Sequence, residues 1–235
     1  MFTDTRSHPC YSPQSGFSLV ELAVVLIVVA LLSSGALYGL SSQHKQMQFQ
    51  ESAHLAEIAR EAIIGYAMSA GRLPCPAEPT TPSGSGGGKE EITCLPGGCD
   101  PKTTGCECTC KYEHGVIPWQ TLAIGETDPW GNRLTYFAGR EFSNPISYDE
   151  QIMGIKARFT LETIGRANIQ NESGLNVASE IPAVIVSHGA RSYGAYTNEG
   201  QKITGATGGE QTNSNGTLSF VSMSPTELFE IGRAS

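Results

Sequence analysis

One stretch limits what this chain can fold into more than any other. From Phe17 to Leu40 the sequence reads FSLVELAVVLIVVALLSSGALYGL, with Glu21 as its one charged residue. At about 1.5 Å per residue, a helix of that length matches a hydrocarbon core of about 30 Å. The sequence therefore predicts a transmembrane segment over 17–40. Two ordinary segments share this pattern: a signal anchor, and a cleaved secretory signal ending at Ser34-Gly35-Ala36. A secretory signal begins with a positive flank, but here Arg6 is offset by Asp4. A carboxylate in an apolar span costs about 2.5–3.5 kcal/mol on insertion scales. Glu21 thus calls for a compensating role, and a plain anchor offers none.

Beyond Leu40 the helical signal continues with a different character. Leu55, Ile58, Ala59, Ala62, Ile63, Tyr66 and Ala67 recur at the three-and-four spacing of one helix face. Gly71 is placed to stop the helix, and Pro74 follows. One helix is expected over 17–70, roughly 80 Å at the standard rise. Its first half is apolar on all sides. Its second half has a single apolar stripe suited to packing under a sheet. Gly35 and Gly39 interrupt the apolar half, where small residues permit close helix approach.

Gly16-Phe17-Ser18-Leu19-Val20-Glu21-Leu22 resembles the processing motif of type IV prepilins and type II secretion pseudopilins. The resemblance implies a leader over 1–16, cut between Gly16 and Phe17 by a prepilin peptidase that methylates the new amine. It also implies that Glu21, fifth in the mature chain, guides assembly. Physically, a carboxylate in lipid is relieved by a positive group such as a neighbouring subunit's N-terminal amine. The implied fold is α+β and pilin-like, a long N-terminal helix packed on an antiparallel sheet of about four strands. The implied setting is the bacterial inner membrane, with a periplasmic head over 71–235 and later a pilus or pseudopilus. The implied partners are the peptidase, other pilin or pseudopilin subunits through the helix, and the membrane itself. Asp128-Pro129-Trp130-Gly131-Asn132 resembles a pseudopilin turn that leads into a strand. Gly71-Arg72-Leu73-Pro74-Cys75-Pro76 is similar to the helix exit of some pilin-like proteins.

In the head, four strands are expected. Residues 133–138 follow the turn. Residues 155–164 alternate, with Ile155, Ala157, Phe159 and Leu161 on one face. Residues 183–187 form a continuous apolar run, as in a central strand, and 217–223 make the fourth. Ser224-Pro225-Thr226-Glu227 has the form of a capping box, predicting a short helix over 225–231.

Cys10 falls in the leader, and the other six cysteines (Cys75, Cys94, Cys99, Cys106, Cys108, Cys110) lie in the loop 75–114. That loop lacks apolar periodicity, so disulfides in an oxidising compartment are its natural source of order. Cys106, Cys108 and Cys110 are close neighbours, so each is expected to pair with a more distant cysteine. The metal alternative is zinc on Cys106, Cys108, Cys110 and His114. Calcium has only Asn198, Glu199 and Glu210 to call on in 196–216, without an EF-hand pattern. No cofactor is expected, and the Gly-rich 204–216 reads as a mobile surface loop. Ser187 and His188 adjoin, but a hydrolase needs a third group and an oxyanion hole. An assembly role is expected rather than an enzyme. The net charge of −8 argues against nucleic acid as a partner.

Overall fold

The structure, a computed structural model, describes residues 18–95 and 97–223, with the backbone alone for 32–43. The leader, Gly16, Phe17 and the helix expected over 225–231 lie outside the described residues. The chain divides into two units between Gln46 and Met47.

Helix α1 runs from Leu19 to Ala70, as the periodicity predicts. It stops where Gly71 adopts φ +69°. A Cβ there would sit 2.0 Å from the Lys156 carbonyl oxygen, so only glycine fits. Leu55, Ala59, Ile63 and Ala67 face the head core, whereas Ile58 points to solvent.

The head is layered around strand β5 (Thr135–Ala138), the centre of a sheet ordered β3-β5-β8. β3 is His114–Val116 and β8 is Ala183–Val186. Both neighbours pair antiparallel with β5. Side chains alternate along β5. Tyr136 and Ala138 enter the cluster that contains Ala59 and Ile63 of α1. Phe137 enters a second cluster with Ala167, Ile169, Val184, Val186 and Phe220. That second layer is a sheet ordered β10-β6-β7, made of β6 (Ala167–Asn171), β7 (Asn176–Ile181) and β10 (Ser219–Ser222).

Several expectations need correction. The strands do not form one antiparallel sheet of four. They form small separate sheets, and β10 runs parallel to β6. Residues 183–187 are not central, because β8 is an edge of its sheet. Its run is apolar because both faces are covered, Val184 and Val186 by one cluster and Ala183 and Ile185 by the other.

Residues 155–164 form no strand. Their backbone bonds go elsewhere: Arg158 N–H donates to the Gly71 carbonyl, and Thr163 N–H to the Thr160 carbonyl. The Arg158 guanidinium is held by Glu150 and the Asn144 carbonyl. Glu150 closes a capping box with Ser147 at the start of α4 (Tyr148–Ile152). Only Phe159 turns inward, its ring centroid 5.3 Å from that of Phe142, while Leu161 is fully exposed.

The Gly-rich segment contains helix α5 (Gly208–Ser214). Its Asn213 amide accepts from Val221 N–H at 2.7 Å and donates to Val221 C=O at 2.9 Å. A side chain thus satisfies backbone groups at the outer edge of β10.

Candidate assembly site

Among the described residues of the N-terminal unit, 19–31 present a largely apolar surface around the helix. Leu19, Val20, Leu22, Val24, Val25, Leu26, Ile27 and Val28 are each between 47% and 87% exposed. Successive residues turn by about 100° around a helix, so this run leaves no polar face. Full burial of one such side chain is worth about 1.5–3 kcal/mol. A helix of this kind is stable only in lipid or among other helices. Glu21 lies in the first turn and is exposed, and Ser18 Oγ accepts the Val20 N–H at 3.3 Å. Among the described residues, no helix is long and apolar enough to cross a membrane. The run read from sequence, Phe17 to Leu40, extends past those residues at its start and past the described side chains beyond Leu31.

The head has its own constellations. The cysteines pair as Cys75–Cys110, Cys94–Cys108 and Cys99–Cys106. The hairpin of β1 (Ile92–Leu95) and β2 (Glu107–Cys110) sets Cys94 directly opposite Cys108. The alternative reading, zinc on Cys106, Cys108, Cys110 and His114, does not assemble. Cys110 is bonded to Cys75. The His114 ring packs on Phe137 and Phe220, and burial lowers its pKa. The sulfurs that gather are those of Cys94, Cys106 and Cys108, within 4.8 Å of one another.

Sequence reasoning missed the ion pair that fastens this loop to the chain just past the end of α1. The Arg72 guanidinium makes two bonds of 2.8 Å to Glu90 and also donates to the Leu73 and Ser143 carbonyls. Glu90 further accepts from Cys75 N–H and from the Tyr66 hydroxyl. Burial pushes the Glu90 carboxyl up, but the Arg72 bonds and charge outweigh it, so its pKa is lowered. In the sequence Glu90 is one of two adjacent acids, Glu90-Glu91, after a Gly-rich stretch, and nothing local pointed to Arg72.

The turn 128–132 forms as expected, with Asp128 Oδ1 accepting from Trp130 N–H and Asn132 N–H. Asp128 Oδ2 accepts from the Ser187 hydroxyl, and Ser187 Oγ accepts from Ser52 of α1. Trp130 packs on Phe49 of α1, with ring centroids 5.5 Å apart. Burial raises the Asp128 pKa despite these bonds.

His188 engages a different set of groups. Its Nδ1 donates to the Tyr193 carbonyl at 3.0 Å, which leaves Nε2 to accept from the Thr135 hydroxyl at 2.8 Å. Ser187 and His188 are thus held by separate partners rather than as a nucleophile and base. Of the calcium candidates, the Asn198 carbonyl receives Arg133 and Ser83, Glu199 is exposed, and Glu210 is buried beside Arg191.

Burial, with the Lys202 charge, pushes the His188 pKa down to about 4 from 6.5. A depressed histidine stabilises the fold fully above its unfolded pKa and loses that contribution as pH falls toward its folded pKa. Between about pH 6.5 and 4 the wild type should lose about 3 kcal/mol that a His188→Gln variant does not lose. Urea unfolding of both proteins across that range measures the difference. Parallel pH profiles would refute it.

Residues 11–37 match the prokaryotic N-terminal methylation motif. No curated protein and no solved structure matches the chain. The match contains the apolar start of α1 and is consistent with a type IV pilin-like or pseudopilin-like protein. It supports a pilin-family assembly subunit, processed by a prepilin peptidase and associated with membrane or pilus.

Proposed function

We propose that the chain is a minor pilin or pseudopilin of a type IV pilus or a type II secretion-like filament. The carrying observation is a helix start that is apolar on every side, bears one carboxylate, and lies within the matched motif. The precursor inserts through 17–40, with residues 1–16 in the cytoplasm and the head in the periplasm. The peptidase cuts between Gly16 and Phe17. The apolar helix then exchanges lipid for the helices of neighbouring subunits, and Glu21 pairs with a neighbour's N-terminal amine. The head works by position in the assembly and not by catalysis. Its large disulfide-bound loop favours a specialised subunit over a bulk one.

Mass spectrometry of the protein from its native membrane tests this reading. The expected N-terminus is a methylated Phe17. An intact Met1, or a cut after Ala36, would overturn it. Either would favour a membrane-anchored periplasmic domain whose helix is only a tether.

A further inference from the structure

We propose that the bridges Cys94–Cys108 and Cys99–Cys106 are the oxidised form of a four-sulfur metal site, which on reduction takes one Zn²⁺ or a similar soft divalent cation. Four thiolates around zinc at about 2.3 Å from the metal lie about 3.8 Å from one another. The sulfurs of Cys94, Cys106 and Cys108 are already within 4.8 Å of each other, and that of Cys99 is bonded to Cys106. Opening both bridges therefore leaves three clustered sulfurs, with the neighbouring Cys99, freed from Cys106, to supply the fourth ligand. Two physical devices hold them there. The β1–β2 register places Cys94 opposite Cys108. Strand alternation puts Cys108 on the same buried face as Cys110, which Cys75 anchors.

The third bridge remains closed because it is shielded. Cys75 and Cys110 are 0% and 1% exposed, whereas Cys94 and Cys99 are each partly open to solvent. A reductant reaches the two outer bridges first. With a phosphine, each bridge consumes one phosphine and one water, giving the phosphine oxide and two thiols. Metal binding then displaces the thiol protons. Disulfides and metal draw on the same sulfurs, so each excludes the other. The loop thereby carries two covalent states selected by the thiol redox balance around it.

The test uses the full-length chain in detergent, treated with limiting phosphine and then with Zn²⁺ or Co²⁺ alone. Expected are one metal per chain and a cobalt-thiolate absorption. Zn²⁺ should also slow maleimide labelling of Cys94, Cys99, Cys106 and Cys108 by about tenfold or more, with Cys75 and Cys110 unlabelled. A Cys94→Ser/Cys108→Ser double variant should lose metal binding and keep the Cys75–Cys110 bridge. Labelling rates indifferent to Zn²⁺, simultaneous opening of all three bridges, or equal metal uptake by the oxidised chain would each overturn the proposal. Every readout on the unmutated protein stands even if the double variant fails to fold.

Discussion

Glu21→Ala should reach the inner membrane at the wild-type level and be absent from filaments. Insertion is driven by apolar residues on every side of the helix, and deletion of one carboxylate makes it easier. Assembly is different. On the proposed reading, the carboxylate leaves water once, on insertion, and recovers that cost on meeting a neighbour's amine. Removing one partner of a buried ion pair costs about 3–5 kcal/mol, because the other charge stays uncompensated. At about 1.4 kcal/mol per factor of ten, incorporation should fall by roughly two orders of magnitude or more. Immunoblots of membrane and sheared-filament fractions report the ratio. Glu21→Ala subunits entering filaments normally would end the role assigned to Glu21, while leaving the cleavage site untouched as a separate matter.

The second large effect is expected at Glu90. In Glu90→Ala the Arg72 guanidinium, largely buried, loses both of its 2.8 Å bonds to carboxylate. The Cys75 N–H and the Tyr66 hydroxyl lose an acceptor as well. The head should be destabilised by about 3–5 kcal/mol, the range for breaking a buried pair from one side. Glu90→Gln should cost less, because the amide oxygen still accepts. The wild-type pair also has a pH signature. The Glu90 pKa is lowered in the folded head. Its contribution is therefore complete above the ordinary carboxylate pKa of 4.5 and is lost as pH falls below it. This window begins near the lower end of the one expected for His188, so the loss above pH 4.5 belongs to His188 and the loss below pH 4 to Glu90. Denaturant midpoints of wild type and both variants measure the effect. Equal midpoints at neutral pH would refute it.

Both predictions rest on residues of different legibility. Glu21 could be read from sequence because its anomaly is local: one charge in an apolar run needs no knowledge of the rest of the chain. The same holds for the stop at Gly71 and the turn from Asp128 to Asn132, where dihedral preference within a few residues decides the outcome. The interval 155–164 shows where such reading fails. Its alternation is real, but no neighbouring strand takes up its backbone groups, which go to Gly71 and to a turn of its own. Alternation reports a surface with two faces, and pairing requires a partner that the segment cannot encode by itself. β6 and β7 were missed for the converse reason. Their polar sequences, ANIQN and NVASEI, look like loop until Phe137 and Phe220 supply something for Ala167 and Ile169 to cover.

The apolar run from Phe17 with which the sequence begins to make sense was determined by sequence alone, together with the helix from Leu19 to Ala70 and the motif over 11–37. Periodicity, solvent preference and a short peptide pattern are properties of neighbours along the chain. Tertiary structure alone decided the pairing of the six cysteines, the joining of Arg72 to Glu90, and the division of the head into layers on either side of β5. Each of these joins residues far apart in sequence. Which ones meet depends on the loops that close and the surfaces that pack, and neither is written in any local stretch.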